Sequence, residues 1–458
     1  MHIDGGIVGH NNTFTALRGD AGLVEIDGGT ILGCITSGET GTINMNGGRV
    51  ICERLDDDNT ATHYYAIQSK GNVTINGGTV KSIGAEKTSC ISNYGPNSTL
   101  TIRGGTIQSE QGYCISSSGD VSIASGTFLS SGANAETIAI SKSSSDNELS
   151  ISGGHFLNKA GGCISIRSLS YACISDGVFE AAGKVVACYD SHLSILDGYF
   201  GGSQCVYSMQ STSNYTNIIN IYDGVFKATD NVVYTTANDK SKSEINIGSG
   251  RFYSLGDTLS IGGGQVTICD GVFESAEAAA IRINYRSGYG DTTISGGVFR
   301  GKYGMYSIGR DGNITLLISS ETIIEIDTTD YAFFGSEDYI SLRLATDYDG
   351  NILYYSSPES DGQLMTVEAA LSYIQDHSYY SYACLAAQTA PWKPEIISAS
   401  FRTDGISAVV SCDDTAATVI CASYDNEGRM VIIATEPVLL SRKTYNFSVN
   451  IVNGYKIR

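Results

Sequence analysis

The stretch I-S-D-G-V-F at 174–179 recurs as I-S-G-G-H-F (151–156), I-Y-D-G-V-F (221–226) and I-S-G-G-V-F (294–299). Aligned on the last glycine, its copies centre on Gly6, Gly29, Gly48, Gly78, Gly105, Gly126, Gly154, Gly177, Gly198, Gly224, Gly250, Gly271 and Gly297. Thirteen copies at an average interval of about 24 residues mark a solenoid, with one supersecondary unit per repeat.

The columns of this alignment say which solenoid. Three residues before the glycine stands Ile in every copy except one, where it is Met45. Five before it the position is again mostly apolar, with Thr, Ser or Asn between the two, which is the period-two alternation of a strand with one buried face. Two after the glycine come Val8, Ile31, Val50, Val80 and Ile107, then Phe128, Phe156, Phe179, Phe200, Phe226, Phe252, Phe273 and Phe299. Coils stacked at the strand spacing of ~4.8 Å place these rings in one interior file and give a body roughly 60 Å long. The expectation is an all-β chain built on a parallel β-helix of about thirteen coils. In the column before the last glycine, Asp176, Asp197, Asp223 and Asp270 alternate with Gly, so we read it as a turn position tolerant of left-handed backbone. Calcium held between stacked carboxylates is the alternative.

Composition narrows the function classes. The 458 residues carry a net charge of −20, which argues against nucleic acid or an anionic membrane as partner, since phosphate recognition needs clustered Lys and Arg. No apolar run of 18 residues is present to span a bilayer. The 54 Gly and only 5 Pro suit many turns between strands whose N–H groups are all needed. The 12 Cys form no C-x-x-C and no zinc spacing. Cys90, Cys114, Cys163, Cys188 and Cys205 fall in one recurring slot shared with Ala66, Ala139 and Ala280, which reads as a column of small residues with mostly free thiols.

Three regions follow. Residues 1–312 are the β-helix body, with its longest insertion at 53–65. Residues 313–390 read as a terminal coil and cap, including a helix at 366–377 with Thr366 as N-cap and Val367, Ala370, Leu371 and Ile374 on one face. After the linker Pro391-Trp392-Lys393-Pro394, residues 391–458 alternate in short runs (396–401, 406–411, 417–424, 430–435, 445–451) and read as a small immunoglobulin-like β-sandwich. Met1 opens directly into the first coil without a leader or cap, and the chain stops at G-Y-K-I-R (454–458), so we expect a piece of a longer protein.

The stretch A-T-V-I-C-A-S-Y-D-N-E-G-R-M-V (417–431) resembles the C-terminal β-sandwich module of large surface proteins from anaerobic Gram-positive bacteria. The I-x-G-G-x-F coils are similar to the right-handed parallel β-helices of the pectate-lyase-like superfamily. That resemblance implies an extracellular or cell-surface location, and it requires a test for enzyme chemistry. Polygalacturonase-like members carry N-T-D, G-D-D and G-H-G; none occurs here, and G-G-H-F at 153–156 only sets His155 beside a core Phe. The Arg residues lack the R-x-P-x-x-R setting of pectate lyases.

The expected function is therefore a non-enzymatic stalk or adhesin presenting loops to carbohydrate or host surface glycans. A polysaccharide lyase or glycoside hydrolase is the alternative. His63, Tyr64, Tyr65, Tyr94, Tyr207, Tyr215, Tyr285 and Tyr289 are the candidate sugar contacts, because sugar rings stack on aromatic faces. Asp56, Asp57 and Asp58 are the candidate calcium ligands, although they lack the D-x-[DN]-x-[DN]-G spacing and read first as a solvated loop. No other cofactor is expected, and the sequence is silent on oligomeric state.

Overall fold

The computed structural model is a right-handed parallel β-solenoid of about 12 turns, with 62% strand and 3% helix. It describes residues 1–10, 15–54, 64–84, 88–95, 97–141, 148–168, 170–210, 216–237, 243–284, 290–307, 313–335, 340–344, 348 and 350–387, together with six strands between 395 and 457. The linker at 391–394 lies outside the described residues.

Each turn has three strands, as in Leu23–Ile26, Thr30–Leu32 and Ile35–Ser37. The first strands form a fifteen-stranded sheet: thirteen carry the repeated phrase, and Asn313–Ile318 and Ile340–Leu344 add two rungs beyond the last glycine. The second and third strands make the other two faces and fuse where one strand runs through the corner, as in Val225–Thr236. Parallel pairing is in register, so each column position sits above its equivalent: Val121 on Leu149, Ile123 on Ile151.

All thirteen aligned glycines have positive φ, from 74° at Gly48 to 138° at Gly177. This is backbone that Cβ-bearing residues avoid, and it turns the chain from the first face to the second. Space is excluded as well, since a Cβ on Gly177 would stand 2.9 Å from the Phe179 ring. The Asp column does belong to this turn, but the physical reason differs from the expected one. The left-handed residue is the glycine, and the Asp supplies a hydrogen bond. Asp176, Asp197, Asp223 and Asp270 each accept the N–H of the following glycine through Oδ1, at 2.7–2.8 Å.

The interior file is continuous. The eight Phe rings are fully buried and stack with centroids 4.5–5.0 Å apart and planes within 1–9° of parallel. Burying a Phe side chain contributes about 1.5–3 kcal/mol, so this file is a principal source of cohesion between turns. The ten described cysteines are free thiols. Register corrects one grouping: Cys188 lies over Ile166, three positions along the strand from the column of Cys163 and Cys205, and Ala139 pairs with Ser116 rather than with the cysteine slot.

At the C-terminal end, Ile323–Gly335 pairs antiparallel with Tyr382–Ala387, which ends the parallel stacking. Helix Val367–Asp376 starts at Thr366, whose side chain accepts from Ala369 N–H. It buries Ala370 and Ile374 in the same core as the last turns. Between 395 and 457, Glu395–Arg402, Gly405–Ser411 and Tyr445–Val449 form one antiparallel sheet. Ala416–Tyr424, Met430–Leu439 and Lys456–Ile457 form a second.

Two outcomes follow from this packing. Phe226→Ala removes one ring from the middle of the file and lowers stability by about 3–5 kcal/mol in urea unfolding; a loss below about 1 kcal/mol contradicts the packing. Burial pushes the Cys163 thiol up to about 12 and Cys188 and Cys205 upward too, whereas Cys269 is exposed. In maleimide labelling of the native protein read by peptide mapping, Cys269 reacts first and these three react only after unfolding. Equal rates would rule out the buried columns.

Candidate functional site

The sequence-derived contacts whose side chains are described, Tyr65, Tyr94 and Tyr207, do not converge. Asp56, Asp57, Asp58, His63, Tyr215, Tyr285 and Tyr289 lie outside the described residues, and Tyr64 is described only as the first residue of Tyr64–Ser69. Tyr65 and Tyr94 sit on adjacent coils near one end, with Lys70 Nζ 5.6 Å from the Tyr94 ring centre. Burial pushes the Tyr65 hydroxyl up, opposed by its hydrogen bond to Ser92. Tyr207 is five coils further on, about 24 Å away at ~4.8 Å per coil.

Around Tyr207 the third face carries a different set of groups. One outward column reads Ser116, Ala139, Ser165, Ala187, Tyr207 and Tyr234 in unbroken register. Four small residues leave a strip on which a long side chain can lie flat, and Arg167 occupies it. Its Nε donates to Ser165 Oγ at 3.0 Å, one terminal nitrogen is 3.8 Å from Glu136 Oε1, and its guanidinium carbon is 4.3 Å from the Tyr189 ring centre. Ser165 and Ala187 are consequently buried although they point outward. Lys184 Nζ sits 3.3 Å from the centre of the Tyr207 ring, whose neighbour Tyr234 stacks at 5.4 Å with planes 5° apart. Each cation–ring contact contributes about 0.5–1 kcal/mol at an exposed site.

This geometry changes the role open to Tyr207. Lys184 lies over its ring, Tyr234 stacks parallel to it and its hydroxyl donates to Met209 Sδ at 3.4 Å, so it offers a ring edge to a ligand rather than a free platform. Burial raises the hydroxyls of Tyr113, Tyr189 and Tyr207 above the usual tyrosine range; Glu136 adds to the effect at Tyr113 and Tyr189 while Arg167 opposes it. They therefore stay protonated donors at neutral pH. Lys184 is lowered, first by burial and then by Arg167, with Glu136 acting in the opposite sense. Chemically the platform is a fixed guanidinium, an ammonium, one carboxylate and phenolic hydroxyls, suited to hydroxyl-rich or anionic ligands.

The pair of carboxylates needed to hydrolyse a glycosidic bond is a different arrangement, with separations of about 5–9.5 Å. In the column of Glu136 the next carboxylate is Asp257, five coils on and about 24 Å away. Asp257 is itself held by Arg282 at 3.2 Å. His155 points outward and meets Glu180 at 3.0 Å on another face. Among the described residues no group of three His, Cys, Asp or Glu is arranged to hold a metal ion.

Glu136, Arg167, Lys184, Tyr189 and Tyr234 were not legible as a site. Tyr189, Tyr207 and Tyr234 follow their aligned glycines at different distances because insertions at the corner differ, so counting from the phrase does not superimpose them. The strand register sets Tyr207 over Tyr234 and leaves Tyr189 two positions along its strand, over Met209. No described helix is long and apolar enough to cross a membrane. Comparison with protein-family models, curated proteins and solved structures returns no match, and what is shown is the parallel β-solenoid fold.

The cluster has an electrostatic signature. With lysines isotopically dimethylated, NMR titration shows Lys184 losing its proton at lower pH than a free lysine side chain. Arg167→Gln moves that point up by removing a like charge, and Glu136→Gln moves it further down by removing an opposite one. Indifference to both substitutions rules out the cluster.

Proposed function

We propose that the chain is a rigid, non-enzymatic β-solenoid that works outside the cell, as a stalk or adhesin, and holds glycan on the Arg167–Tyr189–Tyr207 platform. The observation that carries this reading is the guanidinium of Arg167, fixed on three sides by Ser165, Glu136 and Tyr189 while half its side chain remains exposed. A donor oriented before binding loses little rotamer entropy when a sugar hydroxyl or carboxylate arrives. The in-register frame beneath it supports the same reading, because a stack of buried strands resists deformation and keeps spacing along the axis constant. The two small antiparallel sheets beyond residue 395 suit a spacer or attachment module of immunoglobulin type.

One observation favours a second reading. A lysine with lowered proton affinity beside an arginine is the pairing for β-elimination from a uronate. The arginine would neutralise the sugar carboxylate, and the free amine would remove the adjacent C–H proton as the glycosidic oxygen leaves. Hydrolysis lacks comparable support.

A glycan array probed with the full chain separates these readings. Binding that falls at least tenfold in Arg167→Ala and Tyr189→Ala, with no reducing or unsaturated ends released, fits the glycan holder. Release of unsaturated ends that is lost in Lys184→Met shows elimination instead. Binding unaffected by either platform substitution moves the site elsewhere.

A further inference from the structure

The second face carries a depression that the platform does not use. One of its outward columns runs Leu157, Glu180, Gly201, Lys227 and Tyr253 in register. Gly201 removes one side chain from that column, and with the small neighbours Ala182 and Ser203 it opens a groove of about 640 Å³. This volume lies within the range of small-ligand sites. Leu157 bounds one end and the half-exposed Tyr253 and Leu255 bound the other, four coils apart, or about 19 Å. The tip of Tyr199 folds along its own strand over Gly201, with Cε1 and Oη each 3.2 Å from where a Cβ would stand. Its column neighbours are Val178 and Val225, so no ring from an adjacent coil stacks on it, in contrast to Tyr207.

Charge gives the second, independent observation. Of the lysines whose side chains are described, Lys81 and Lys302 are ion-paired, and Lys70 and Lys184 lie over tyrosine rings. The other two, Lys159 and Lys227, have no carboxylate within ion-pair distance among the described residues, and both line this groove. In a chain of net charge −20, two unpaired cations sharing one concavity select an anionic guest.

The fold also limits the guest's class. The backbone groups of this face are already paired with the coils above and below, so an extended peptide finds no edge to join. What remains available is phenolic rings, hydroxyls of Ser203 and Thr229, two ammonium groups and the Glu180 carboxylate, which already meets His155 at 3.0 Å. Two cations are too few to follow a nucleic-acid backbone. We propose that the groove centred on Gly201 is a second binding site, independent of the platform, for a short acidic oligosaccharide whose carboxylate or sulfate groups meet Lys159 and Lys227 and whose ring packs on Tyr199.

The test is calorimetry on the full chain with three tetrasaccharides of equal length: uronate-bearing, sulfated and neutral. Either charged sugar binds at least tenfold more tightly than the neutral one. The double substitution Lys159→Gln and Lys227→Gln, on exposed side chains, removes that preference. Gly201→Leu refills the column and abolishes binding, with the unfolding curve of the variant checked alongside. Arg167→Ala leaves the affinity unchanged. Equal binding of charged and neutral sugars, indifference to the lysine pair, or loss only in Arg167→Ala overturns the groove. In the last case the platform reading survives.

Discussion

Parallel, in-register hydrogen bonding between successive turns is the constraint on which everything else depends. It places each residue directly over its equivalent one coil earlier, at a spacing close to the thickness of an aromatic ring pair. Like then stacks on like. Phe128 through Phe299 become a single column of near-parallel rings because nothing in the register allows them to do otherwise. The same rule acts on the outside, where Tyr207 and Tyr234 meet face to face and Asn46 and Asn76 pass a hydrogen bond from coil to coil.

A frame this regular makes its exceptions conspicuous. Where an outward column turns small, as at Ala139, Ser165 and Ala187, a neighbouring Arg167 can lie down across it and be held. Where one residue is missing, as at Gly201, a groove opens between side chains that would otherwise be continuous. Both features arise from subtraction, and both gather cations onto a limited stretch of an otherwise acidic molecule. The turn glycines show the opposite case. There the exception is repeated in every coil, because the corner between the first and second faces needs φ near 74–138° each time.

Much of the fold was legible in the residues. The alternation before each glycine, the Phe column behind it and the helix capped by Thr366 all stand where patterning put them. The role of Asp176 and its equivalents was read correctly as a turn and explained wrongly, because sequence exchange between Gly and Asp cannot distinguish tolerance of left-handed backbone from a hydrogen bond to the next amide. The cysteine slot was likewise blurred: Cys188 drops into another column through a change in corner length that no count from the glycine reveals.

The sequence by itself determined the solenoid, its repeat length, its interior file and its thin basic content. The reason is that these depend on local periodicity, which a linear reading preserves. Which outward residues share a surface was decided only by the tertiary structure. Corner insertions of unequal length break the arithmetic between coils, and hydrogen-bond register restores it. That is why Tyr207 stands in the sequence only as one of eight candidate sugar contacts, yet in the fold it has Lys184 on its ring, Tyr234 stacked against it and Tyr189, which carries Arg167, 5.8 Å away.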